Sequence, residues 1–281
     1  MGLITDVYGA AKGYEAVSLP LPPEQPSRTY GPDGAVLCRR SARPTRRAVI
    51  YPLCMNDQFV PADLASWYTD RGFHFYVADL RRGSDPGRLG QESRAAELEE
   101  YFAWLDTAAQ HAHETDGIET MVLSAHAAGA LIAALWCQAR RASPPADALI
   151  LASPSFGAGS RLVRTMAGSR FAGSARRTSA LLAVARRRVR RGLDIGCPVL
   201  VLCSSGGWDA PGGTGGLLRL PVAAKGKATM RLGPHVTWLN VDGGQPGEAL
   251  PDGPGQRRVF DELGRWLSAY LSGQIRDQLL L

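Results

Sequence analysis

Several short runs in this chain are apolar from end to end, and that limits what it can fold into. "RRAVIYPLC" (46–54), "ADALILASP" (146–154) and "CPVLVLCSS" (197–205) each hold an apolar stretch with no alternation of apolar and polar residues. A strand with one wet face alternates; a strand covered on both faces does not. Between these runs lie segments with apolar residues at helical spacing. "PADLASWYTDRG" (61–72) predicts a helix with Trp67 packed inward and Gly72 ending it. "SRAAELEEYFAWLDTAAQHA" (93–112) predicts a long amphipathic helix through Leu98, Phe102 and Leu105. "YEAVSLPLP" and "GAVLCRR" read as a leading strand pair, and "FHFYVADL" and "ETMVLSA" as further strands. "CPVLVLCSS" and "HVTWLNVDGG" read as the last two strands, before a closing helix in "GQRRVFDELGRWLSAYLSGQ". Strand and helix alternate after a β-rich start. The expected fold is therefore α/β, with a mostly parallel central sheet and helices on both faces, over one domain spanning 1–281.

Charge divides the chain unevenly. The net charge is +6, yet no acidic residue occurs between Asp147 and Asp194, and ten arginines fall between Arg161 and Arg191. Two readings stand. The arginines form a solvated helix face, or they meet an anionic partner such as a phosphate-bearing substrate or an acidic carrier protein. Nucleic acid is not expected, because no aromatic residues interleave with the arginines and no binding motif appears. The five cysteines lie mostly in apolar runs, which suits buried thiols in a reducing cytoplasm. No apolar stretch reaches the length of a membrane span, and the amino-terminal residues do not read as a signal peptide. The glycine-rich "SSGGWDAPGGTGGLL" (204–218) reads as a flexible loop, since it lacks the order of a phosphate cradle.

"LSAHAAGALIAALW" (123–136) has the outline of a nucleophile elbow: a strand end, a tight turn of small residues, then an apolar helix. Hydrolases built on this turn read G-x-S-x-G and attack with the serine. Here the five places are Ala125, His126, Ala127, Ala128 and Gly129. The turn is kept, and a methyl stands where the hydroxyl belongs.

With "AVIYPLCMNDQF", "GFHFYVADLRR", "CPVLVLCSS", "VDGG" and "RVFDELGRWLSAYL" in this order, the chain resembles the α/β-hydrolase superfamily. The likeness is nearest its monoglyceride-lipase, lysophospholipase and serine aminopeptidase branch. In that branch a His-Gly pair and an apolar residue follow the third strand and help bind an oxyanion. Here Leu53 and Cys54 take the His-Gly places and Met55 the donor place. The resemblance implies an acid shortly after "PVLVL", and Asp209 lies about two positions off that place. It also implies a histidine after "VDGG", where the chain instead reads Gln245, Pro246, Gly247 and Glu248. Nucleophile, base and oxyanion histidine are thus missing together, and the segment 155–192 is short for a lid. The backbone N–H of Ala128 needs no side chain and remains available to an oxyanion.

The residues expected to reach a pocket at the strand ends are Leu53, Cys54, Met55, Asn56, Ala127, Ala128 and Trp208, for binding a small molecule. Asp57, His126 and Asp209 are the candidates for acid/base work. Each has a plainer reading: Asn56 and Asp57 shape a loop, and His126 packs beside the turn. Cys54 is a buried thiol or a nucleophile without a histidine partner. No cofactor or metal is expected, since His111 and His113 fall on different faces of a helix. Two functions follow: a non-hydrolytic enzyme acting on an apolar or polyketide-like molecule, or an inactive hydrolase relative that binds a ligand or partner.

Overall fold

The computed structural model describes residues 14–20, 33–39, 41–54, 62–80, 98–154, 182–189, 191–204, 217–221, 227–232, 235–241 and 254–271. These fall into two compact units that divide between Met121 and Val122.

The first unit opens with β1 (Glu15–Pro20) and β2 (Asp33–Arg39), paired antiparallel with Glu15 opposite Cys38. β3 (Arg47–Leu53) and β4 (His74–Asp79) run parallel, with Ala48 opposite His74 and Leu53 opposite Asp79. β2 pairs antiparallel with β4, so the order here is β1-β2-β4-β3. As its unbroken apolar run requires, β3 is buried along nearly its whole length. Helix α1 (Ala62–Asp70) buries Leu64, Ala65, Trp67 and Tyr68. Gly72, at φ 76°, ends it in the left-handed conformation that favours glycine at a helix terminus. An aromatic cluster fills the space behind: Tyr68 lies 5.7 Å from Phe73 and 5.9 Å from Phe75, which stacks on Tyr51. Such pairs add about 0.5–1.5 kcal/mol each beyond area burial. Arg47 spreads over the Phe73 ring at 5.1 Å, and burial lowers its pKa. Helix α2 (Leu98–Asp116) buries Leu98, Phe102 and Leu105 on its expected face, and also Tyr101, Trp104, Ala108, Ala109 and Ala112. It runs four residues past the expected end at Ala112, through the polar "HETD", and Gly117 at φ 63° turns the chain toward β5.

The second unit carries the parallel order β5-β6-β7-β10, from β5 (Thr120–His126), β6 (Ala148–Ala152), β7 (Val199–Ser204) and β10 (Val236–Val241). Helix α3 (Ala127–Ala139) follows β5 without a linker and buries every residue from Gly129 to Cys137. A helix apolar all round is one enclosed by the core. Helix α4 spans 182–189, and α5 (Pro254–Tyr270) closes the unit with Val259, Leu263, Trp266 and Leu267 buried. The expected cap segment 155–192 is described only from residue 182 on, residue 190 excepted.

One expectation is corrected. The residues between "CPVLVLCSS" and "HVTWLNVDGG" include an antiparallel pair, β8 (Leu217–Pro221) and β9 (Lys227–Arg231), with Leu217 opposite Arg231. Leu217 and Leu218, read as the end of a flexible loop, therefore belong to a strand, and β7 and β10 are not consecutive. Among the described strand pairs of the two units parallel ones outnumber antiparallel ones, as in the α/β-hydrolase architecture expected from the sequence.

Candidate functional site

β5 delivers the chain to the turn with Met121 to Ala125 buried. His126 is still extended at φ −121° and ψ 148°, and its ring does not cap the helix that follows. Ala127 then swings to φ 47°, and α3 begins at that residue. For an L-residue other than glycine this conformation costs about 1–2 kcal/mol. The buried strand in front and the enclosed helix behind hold it there. A strained residue between a strand and a helix is the backbone of a nucleophile elbow, and here its side chain is a methyl. Ala128 and Gly129 follow in the first turn of α3, which carries no acidic residue, so its positive end is not neutralised from within.

A second residue repeats this backbone. In the parallel register His126 lies opposite Ala152, so Ala127 and Ser153 come next, level with each other. Ser153 has φ 42°; it and Ala127 are the two non-glycine residues with positive φ among the described residues. Ser153 precedes Pro154, a position normally pushed toward extended conformations, so its strain is compounded. Its N–H donates to the Leu202 carbonyl of β7 at 2.8 Å, which fixes the strand end. Sequence reading passed over Ser153; the signal it offered was a hydroxyl-bearing residue closing an all-apolar strand just before a proline.

All five histidines of the chain are described, and one of them stands at the carboxyl end of a strand. His74 starts β4, where its Nδ1 accepts the Ser41 N–H at 3.0 Å. His235 precedes β10, as expected, and its carbonyl accepts the Val199 N–H. His111 and His113 lie on α2 with separate partners: Asp116 at 3.9 Å for the former, the Ile118 carbonyl at 2.6 Å for the latter. His126 alone lies beside the turn.

In the first unit, Leu53 ends β3 and Cys54 follows it, each with 1% of its surface exposed. The Leu53 carbonyl accepts the Leu80 N–H at 2.9 Å, so this strand end is tied to the residue after β4. Burial makes Cys54 a packed thiol rather than an accessible nucleophile. Met55, Asn56, Asp57, Trp208 and Asp209 lie outside the described residues. Cys54, Cys137, Cys197 and Cys203 are all buried and form no disulfide. A hydrogen bond to Cys197 and then burial push the Cys137 thiol up, while burial alone pushes Cys203 up to about 12. A depression of about 560 Å³ lies at the turn from α2 to β5, lined by Arg46, His113, Asp116 and Glu119 among others. Arg46 pairs with Glu119, and His113 is bonded to Ile118, so these groups tie the turn together instead of converging on a ligand.

With the turn, the strand order and the helix behind it established, the sequence matches the family described as serine aminopeptidase, S33, over residues 60–202, just over half of its length. The chain belongs to that family. Among solved structures it is similar to that of DcsB in complex with its substrate analogue, with a TM-score of 0.60 at 12% identity, covering 92% of this chain and 100% of that one. It is similar to Est1E from Butyrivibrio proteoclasticus with ferulic acid bound, with a TM-score of 0.55 at 13% identity, covering 85% and 95%. A probable hydrolytic enzyme from Pseudomonas aeruginosa PAO1 gives a TM-score of 0.50 at 12% identity, covering 92% and 95%. At these identities the likeness is one of fold. No curated protein matches the sequence.

Proposed function

We propose that this S33-family chain is a non-hydrolytic protein that binds a small, apolar or polyketide-like molecule and promotes its cyclisation, elimination or isomerisation, a role suited to secondary metabolism. The carrying observation is Ala127: the residue at the strained turn has no hydroxyl, so no acyl-enzyme can form there. The histidines support the same reading, since His126 is the one imidazole at a strand's carboxyl end and it directly precedes the turn. The family resemblance implies a hydrolytic histidine after the last strand, and here that stretch contains none. The chemistry left to such a site is positioning of a bound molecule, with His126, Asp57 and Asp209 as the acid/base candidates. Proteins of similar fold bind a substrate analogue, in DcsB, and ferulic acid, in Est1E. The test is direct. The protein should neither turn over p-nitrophenyl esters above background nor take up a fluorophosphonate probe. Labelling at any serine near the turn, Ser153 included, overturns the reading.

A second reading has its own observation. Leu53 and Cys54 are packed away and offer no polar side-chain atom beyond a thiol, which suits an inactive relative that only binds a ligand or partner. With a bound polyketide-like ligand, His126→Ala and Asp57→Asn should abolish its conversion on the first reading. On the second, the wild type should leave the ligand unchanged.

A further inference from the structure

Cys137 and Cys197 stand on different elements of the second unit and touch. Cys137 closes the enclosed run of α3 and is 2% exposed; Cys197 lies just before β7 and is 6% exposed. Their thiols are hydrogen-bonded, and this contact comes before burial among the causes that push the Cys137 thiol up. Cys203 differs, since burial alone raises it. The backbone explains the meeting. Leu193, Ile195 and Cys197 are buried in alternation with exposed Asp194 and Gly196. Those two exposed residues lie against the end of α3. The Asp194 carboxylate pairs with Arg141 at 2.7 Å, and its N–H donates to the Gln138 side chain. At Gly196 a Cβ would come within 3.2 Å of the Pro144 ring and 3.5 Å of the Arg141 carbonyl, so the chain runs close here. The Arg141 and Asp194 side chains are largely exposed, and such an ion pair adds little. The strongest tie open to this segment is a bond between the two sulfurs.

We propose that Cys137 and Cys197 are a modification site: a dithiol that a small disulfide such as oxidised glutathione closes into an intramolecular disulfide. Buried cysteines commonly serve as small apolar fillers. Packing alone asks for no second sulfur against the first, from 60 residues further along the chain. The steps balance. The Cys197 thiol, the more exposed, loses its proton and attacks one sulfur of the oxidant, expelling one glutathione and leaving a mixed disulfide. The Cys137 thiol then loses its proton, attacks the Cys197 sulfur and expels the second glutathione. Two protein thiols are oxidised, and one small disulfide is reduced to two thiols. Because Cys137 holds its proton tightly, the second step is the slower one and speeds up as pH rises. The bond ties the far end of α3, the helix that starts at Ala127, to the entry of β7. It makes no use of the acid/base candidates, so its test is read apart from the esterase assays.

The experiment incubates the full native chain with oxidised glutathione at alkaline pH, blocks the remaining thiols with iodoacetamide and maps the peptides by mass spectrometry. One disulfide, between Cys137 and Cys197, should form, and dithiothreitol should reverse it. Closing a loop of this length should raise Tm by about 5 °C or more. Cys197→Ala should remove both the link and the rise, and Cys137→Ala should do the same if the first variant does not fold. The wild-type peptide map needs no variant at all. In urea, where the native contact is gone, cross-links should scatter among the cysteines. Absence of the Cys137–Cys197 link in the native chain overturns the proposal. So does arrest at the glutathione adduct, or a link to Cys54 or Cys203 formed as often.

Discussion

Strands β5 and β6 lie side by side, end level with each other, and pass through the same left-handed backbone, yet one ends in a methyl and the other in a hydroxyl. Ala127 leads into a thirteen-residue helix, whereas Ser153 leads into Pro154. The shared strain therefore belongs to the edge of the sheet and not to the reaction carried out there. A turn of this shape shows where a family places its chemistry. It does not show that the chemistry is performed.

The comparison is broken most severely by a branched side chain. Ala127→Val forces a β-branched residue into φ 47° and should cost about 2–3 kcal/mol in urea unfolding. A wild-type midpoint would mean the left-handed turn is not held in solution. The next effect is read in β7 at Cys203, the neighbour of Leu202, whose carbonyl accepts the Ser153 N–H. Burial pushes the Cys203 thiol up to about 12 from an ordinary value of 9.0, so the native state holds its proton longer than the unfolded chain. Its stabilisation is full below pH 9 and is lost as pH rises toward 12. By linkage the loss by pH 10 is on the order of 1 kcal/mol, and Cys203→Ser should flatten that alkaline slope in denaturation curves between pH 8 and 11.

Smaller effects sharpen the comparison. Ala127→Gly and Ser153→Gly each relieve a left-handed residue, and after the entropy glycine loses on folding each should gain about 0.5–1 kcal/mol. Equal gains would establish the two positions as twins; a gain at one alone would separate them. Ala127→Ser should change least. Stability should stay within about 0.5 kcal/mol of wild type, and esterase activity should remain at background, because triad members act as a unit. Substantial activity in that variant would reveal a base not identified among the histidines.

Much of this architecture was legible because burial leaves marks in composition. The apolar runs of β3, β6 and β7, the spacing of Leu98, Phe102 and Leu105, and Gly72 at the end of α1 each follow from one local rule. The β8–β9 pair was not legible, since Arg219 and Pro221 interrupt its pattern and a glycine-rich stretch leads into it. The end of α2 was masked by "HETD", which is polar because it faces solvent and the turn to β5. At the site, Ala127 and His126 could be placed from the elbow outline alone. The left-handed Ser153 could not, because a backbone angle imposed by neighbouring strands leaves no trace in a single side chain.

Helix α3 is enclosed along nine consecutive residues, so the turn at its start is clamped from behind and not by the residue at its tip. Such a clamp works like a socket that accepts different bits. The tip can be exchanged among small side chains while the fold stays as it was, so losing a hydroxyl there is a cheap change. Recovering the lost chemistry is dearer, because the matching groups ride on other loops and must return together. Retooling a scaffold of this kind therefore runs downhill toward new uses and uphill toward the old one.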